Sequence, residues 1–102
     1  MSTTSDRRGG SDPGLLVLIS LAAEPRHGHA ILLDIERFAG RRLGPGTLYG
    51  AIERLEQDGL IEPLGGDDRR RPYRLTGEGR AYLSTRVRTM AELTRVAEAR
   101  LP

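Results

Sequence analysis

The chain has 102 residues, 37% hydrophobic and 4% aromatic, which allows one hydrophobic core rather than two and leaves little material for a deep cofactor cage. Cysteine is absent, so disulfides, thiolate nucleophiles and Cys-ligated zinc or iron–sulfur centres are excluded. The net charge of +2 hides an uneven distribution carried wholly by arginine: residues 1–66 hold seven Arg against nine acids, and residues 67–102 hold nine Arg against five.

Guanidinium groups suit bidentate contacts to phosphate and to guanine edges, although a GC-rich genome would leave the same bias. The longest apolar run, residues 15–23 with Ser20 inside it, is too short to span a bilayer and follows too polar a start for a signal peptide. The expected location is therefore the cytoplasm, with nucleoid association and no membrane partner.

Residues 1–11 read as a flexible polar arm. Asp12-Pro13 is an N-cap followed by a first-turn proline, opening a first helix to about Ala23 that is apolar on nearly every face. Such a helix is either central in the core or covered by a second subunit. After a break at residues 24–28, a second helix runs to about Ala39, with Ile31, Leu32, Ile35 and Phe38 on one side and Gly40 as C-cap. Pro45 opens a third helix whose buried arc is Leu48, Ala51, Ile52 and Leu55, with Gly59 as terminator. Gly46, Gly50, Glu53 and Gln57 point the opposite way, flanked by Thr47 and Arg54 on one side and Tyr49 on the other.

The period then becomes extended. Residues 60–64 and 72–75 are strand candidates, joined by a loop that ends in Arg69, Arg70 and Arg71. Pro63 and Pro72 suit the edge positions of a two-stranded ribbon. Thr76 caps a last helix over residues 77–100, in which Leu83, Val87, Met90, Ala97 and Leu101 repeat at four- and three-residue spacing, with Thr94 in the one polar slot. The fold class is thus mainly α with a small β-hairpin: a winged helix-turn-helix domain over 12–76 and a C-terminal dimerisation helix over 77–102. Leu15 and Leu18 of the first helix join the seam as expected contributors to a homodimer.

Helix, short turn, helix is a scaffold for placing one helix in the major groove of double-stranded DNA, and the ribbon that follows makes the pattern specific. Arg69, Arg70 and Arg71 have the strongest motive for a phosphate or minor-groove contact, against the plain reading of a solvated hairpin tip; Asp67 and Asp68 weaken the local field. Thr47 and Tyr49 fall where hydroxyls and helix-start amides meet phosphate, and Gly46 and Gly50 carry no side chain to hold the backbone off. The competing readings are that Thr47 caps its helix and that Tyr49 packs on the first helix or the hairpin. Glu53 could accept from a cytosine amino group, and Arg41, Arg42 and Arg54 add backbone contacts. His27 and His29 diverge and complete no metal spacing, so capping or packing at the second helix is expected of them, with no metal and no cofactor. Ser20 lacks a glycine elbow or a partnered base, and no catalytic residues emerge.

These segments together resemble the N-terminal domain of the PadR family of bacterial transcriptional regulators. The resemblance lies in L-L-V-L-I-S-L, P-R-H-G-H-A-I-L-L-D-I, G-P-G-T-L-Y-G-A-I-E-R-L-E-Q-D-G-L-I-E and R-P-Y-R-L-T-G-E-G-R-A-Y-L, over about residues 14–83. It implies a dimeric repressor on an inverted repeat, often released by a small hydrophobic effector, with the third helix in the major groove and the hairpin as wing. It also implies a short-subgroup member whose long last helix dimerises. His29 stands where the family commonly has tyrosine, and Phe38 is the one phenylalanine, so an aromatic effector pocket does not transfer directly. Alternatives are a winged-helix protein-interaction module without DNA binding, marked by an acidic or apolar wing, and an enzyme, which would need a pocket of perturbed titratable groups.

Overall fold

A computed structural model describes residues 12–65 and 71–102. The expected arm at 1–11, together with Arg69 and Arg70, lies outside the described residues. The order is α1 (Pro13–Ala23), α2 (Gly28–Ala39), α3 (Pro45–Gln57), β1 (Ile61–Pro63), β2 (Tyr73–Leu75) and α4 (Gly77–Arg100). Four helices and a two-stranded antiparallel hairpin make the winged-helix architecture that the sequence predicts.

Asp12 starts α1 by accepting the Leu15 N–H at 2.8 Å, and Pro13 follows where a missing N–H is harmless. Of the two fates expected for this apolar helix, the structure takes the first. Leu15, Leu16, Val17, Leu18 and Leu21 are at most 4% exposed, and α1 touches α2, α3, α4 and β2. The rest of the core comes from Ile31 and Ile35 of α2, Leu43 of the connecting turn, the Leu48–Ala51–Ile52–Leu55 arc of α3, Ile61, Leu75 and Leu83. Phe38 departs from expectation at 45% exposed, because the last turn of α2 runs past the core and leaves Phe38, Ala39 and Gly40 in solvent. Gly40 ends α2 with φ at +64°, the left-handed conformation glycine adopts without a Cβ penalty.

The strands are shorter than the sequence pattern suggests, three residues each, with Ile61 opposite Leu75, Glu62 opposite Arg74 and Pro63 opposite Tyr73. Pairing extends outward through the Leu64 N–H to the Pro72 carbonyl at 2.8 Å. The root of the hairpin is tied to α4. The Thr76 N–H donates to the Leu60 carbonyl at 3.0 Å, and the Thr76 hydroxyl donates to the Gly59 carbonyl while accepting the Gly79 N–H. Gly79 is buried so tightly here that a Cβ would strike the Leu60 carbonyl.

Only Gly79 and Leu83 of α4 are buried; Met90 still packs against the core from the fourth turn, and the helix beyond it is mostly exposed. At about 1.5 Å rise per residue its 24 residues run roughly 36 Å, which explains extents of 52 × 27 × 27 Å. No helix among the described residues is long and apolar enough to cross a membrane.

Candidate nucleic-acid interface

Packing of α3 against α1 decides which of its side chains remain free. The inward arc is consumed: Leu48, Ala51, Ile52 and Leu55 are 8% exposed or less. By helical spacing Gly46, Gly50, Glu53 and Gln57 form the opposite ridge, and Gly46, Thr47, Glu53, Arg54 and Gln57 are all exposed. Gly44 occupies the N-cap with no side-chain bond, so Thr47 is not the cap and its hydroxyl stands on the surface.

Among the described residues, Gly46 and Gly50 have no internal cause. A Cβ at Gly46 would meet nothing within 4 Å, and one at Gly50 would meet only the tip of Arg54 at 3.9 Å. Both are helical, where glycine costs about 1 kcal/mol relative to alanine. Gly28 is different: it is buried at the start of α2 beneath the ring of Tyr49, and a Cβ there would collide with that ring and its hydroxyl. The Tyr49 side chain therefore lies across the junction of α2 and α3 while staying 50% exposed. His27 caps α2 next to it, its Nδ1 accepting the Ala30 N–H at 3.4 Å, and His29 is exposed.

Around this ridge the other expected residues divide. Arg54 and Arg42 are exposed, the latter 3.7 Å from Glu36, a surface pair that a phosphate could displace at little cost. Arg41 and Arg71 are partly buried, and the Arg71 guanidinium lies 5.9 Å from the centre of the Tyr73 ring. Arg74 was not singled out from sequence; its Nε donates to Glu62 at 2.7 Å across the hairpin.

The dimerisation set needs correction. Leu15, Leu18 and Leu83 are 4%, 1% and 7% exposed within one protomer, because α1 is the centre of the core and the first turns of α4 pack on it. Beyond the core, Val87 at 46% and Leu93 at 64% of α4 and the capping Leu101 at 68% are exposed, Ala97 is exposed, and Met90 is half-buried against the core. Leu93 flanks the seam and escaped a strict four-three count.

A cleft of about 290 Å³ lies between the start of α1, α3 and α4, lined by Leu18 and Ala51 and by Asp12, Arg54, Tyr82 and Arg86 among others. Arg86 donates to the Tyr82 hydroxyl at 3.0 Å and sits 3.7 Å from Asp12; the hydrogen bond, then the carboxylate, raise its pKa above the ordinary arginine value against partial burial. The cleft is mixed in charge, with Asp12 and Asp58 beside Arg54 and Arg86.

One residue of consequence was missed altogether. Arg26, read as part of a break, pairs its backbone with Tyr73 of β2 in both directions, at 3.1 and 2.9 Å. The available signal was Ser20, a hydroxyl inside an apolar run, which must find a partner when buried. It donates to Asp34 at 2.8 Å, and Asp34 lies 3.7 Å from Arg26.

Comparison with known proteins agrees with this geometry. Residues 16–85 match the family described as transcriptional regulator PadR-like. The transcriptional regulator Rv3488 of Mycobacterium tuberculosis is 42% identical over 84 residues, covering 79% of this chain and 78% of that protein. An uncharacterized 37.1 kDa protein in transposon TN4556 of Streptomyces fradiae is 47% identical over 93 residues, which are 90% of this chain but 27% of that protein. The chain therefore spans about a quarter of that relative's length. Among solved structures, a transcriptional regulator from Clostridium thermocellum superposes with a TM-score of 0.77 at 25% identity over 100% of both chains. A PadR family transcription regulator from Clostridium difficile R20291 gives 0.74 at 24% identity, covering 85% of this chain and 95% of that one, and speaks to the fold.

Proposed function

The chain belongs to the PadR-like family of transcriptional regulators, and from that premise we propose that it acts as a repressor, binding double-stranded DNA as a homodimer on an inverted repeat. The observation that carries the reading is the outward ridge of α3. Two helical glycines there weaken the helix without relieving any contact among the described residues, so their use lies in letting something outside approach the backbone closely. A duplex groove is such a surface, since a helix in the major groove brings its backbone near bases and phosphates. Thr47 and Arg54 beside the glycines, Tyr49 at the α2–α3 junction and Arg41 and Arg42 before the helix supply donors for phosphate; Glu53 is positioned to select cytosine. The wing contributes Arg69, Arg70 and Arg71.

A dimer formed through Val87, Met90, Leu93, Ala97 and Leu101 of α4 would present two copies of α3 about 34 Å apart, one turn of the duplex. If a small hydrophobic effector releases the operator, its place would be a cavity between the last helix and the first helix of the partner. The protein-interaction alternative would be marked by an acidic or apolar wing, whereas this wing sequence carries Arg69, Arg70 and Arg71.

The test is selection of bound duplexes from a random pool, followed by a salt titration of the selected and scrambled duplexes. The reading expects an inverted repeat, tighter binding to it at physiological salt, and a log–log salt slope set by the phosphates contacted. Recovery of no preferred sequence, with equal weak binding to both duplexes, would overturn it.

A further inference from the structure

Ile61 and Leu75 anchor the inner ends of both strands in the core, and hydrogen bonds hold the hairpin at two further places. At its root, Thr76 bonds to Gly59 and Leu60 just beyond the end of α3. Toward its tip the hold is Arg26, whose N–H donates to the Tyr73 carbonyl at 3.1 Å and whose carbonyl accepts the Tyr73 N–H at 2.9 Å. That pairing adds a one-residue strand to a ribbon of two three-residue strands, which alone would be marginal.

The Arg26 side chain turns away from the ribbon into the α1–α2 junction. Its Nε donates to the Ser20 carbonyl at 3.3 Å, and its guanidinium lies 3.4 Å from Glu24 and 3.7 Å from Asp34. Asp34 in turn accepts the hydroxyl of buried Ser20 at 2.8 Å and lies 3.4 Å from Arg37. The side chains of Arg26 and Asp34 are 18% and 16% exposed, so this is a partly buried network rather than a surface pair. With its charge engaged by two carboxylates, Arg26 is poorly disposed to bind phosphate. On the other side of the clamp, the Tyr73 ring carries the Arg71 guanidinium at 5.9 Å.

We infer that Arg26, locked by Asp34 and the C-terminal end of α1, is the positioning residue of the wing: it fixes the angle of the hairpin relative to α3 and thereby the placement of Arg71 on the duplex. The inference rests on the DNA-binding reading above. Loss of the lock frees the hairpin beyond the buried Ile61 and Leu75 to swing, while α3 keeps its seat on α1.

The test uses the full chain with Arg26→Gln and, as a milder variant that keeps an acceptor for Ser20, Asp34→Asn. In the free protein, amide exchange at Tyr73 should accelerate about tenfold or more while that of Ile52 in α3 is unchanged, and equal exchange at Tyr73 in both variants and wild type would overturn the clamp. On the selected duplex, Arg26→Gln should weaken binding about tenfold and flatten the salt slope. In a background with Arg69, Arg70 and Arg71 all replaced by Ala, the same substitution should have no further effect, since it acts through the wing. Equal losses in both backgrounds would make Arg26 merely structural and overturn the inference. A wild type that binds no duplex would overturn the DNA reading instead, and Tyr73 exchange would still decide whether the clamp holds the hairpin.

Discussion

On the inward face of α3, Leu48, Ala51, Ile52 and Leu55 are at most 8% exposed and each has its reason inside the chain, in the leucines of α1. On the outward face, Gly46, Thr47, Gly50 and Glu53 contribute to no core, and the two glycines satisfy no contact among the described residues. The same contrast recurs along α4, whose first turns are fixed by Leu83 and Gly79 and whose far end leaves Leu93 and Leu101 in solvent. A side chain explained by its own protomer reports on stability, whereas one that is not points to a partner.

The comparison can be broken most forcefully at the far end of α4. Val87→Asp with Leu101→Asp should convert a dimer to monomer in sedimentation equilibrium, because two carboxylates would be placed in an apolar seam at several kcal/mol. The unfolding cooperativity of the monomer should survive, since neither side chain belongs to the core. Leu83 is unsuitable for this purpose: a charge there would enter the core itself.

Inward substitution on α3 should act the other way. Leu48→Ala removes a side chain 1% exposed and should lower unfolding free energy by about 3 kcal/mol in a denaturant titration. Its effect on DNA should follow only from the population that remains folded.

These assignments differ in how far the sequence discloses them. Caps and periodicity are local, so Asp12, Pro13, Gly40, Pro45, Gly59 and Thr76 marked the elements almost to the residue, and the four-residue arc of α3 was readable from spacing alone. Commitments made across the chain were not. The first helix had two possible covers, and only packing shows that Leu15 and Leu18 face their own protomer. Tyr49 on Gly28 is a contact across 21 positions of sequence, and the Arg26–Tyr73 pairing spans 47, so neither leaves a periodic trace. Phe38 sits at the right spacing for the core but beyond its edge.

Replacing the wing arginines Arg69, Arg70 and Arg71 with Ala should weaken binding to matched and scrambled duplexes alike. It should flatten the salt slope by up to about 3 per protomer if each neutralises one phosphate. A change confined to the matched duplex would instead assign the wing to sequence readout.

The smallest effect is the most direct test of the central claim, that the outward face of α3 is shaped for close approach to DNA. Gly50→Ala should stabilise the free protein by about 1 kcal/mol, because alanine is the better helix former and its methyl meets only ordinary contact with Arg54. The same methyl should lower affinity for the selected duplex by about tenfold, on the scale of one lost base contact of about 1–3 kcal/mol. Stability and affinity measured on one preparation should therefore move in opposite directions. A variant that is more stable and binds the duplex as tightly as wild type would contradict the account.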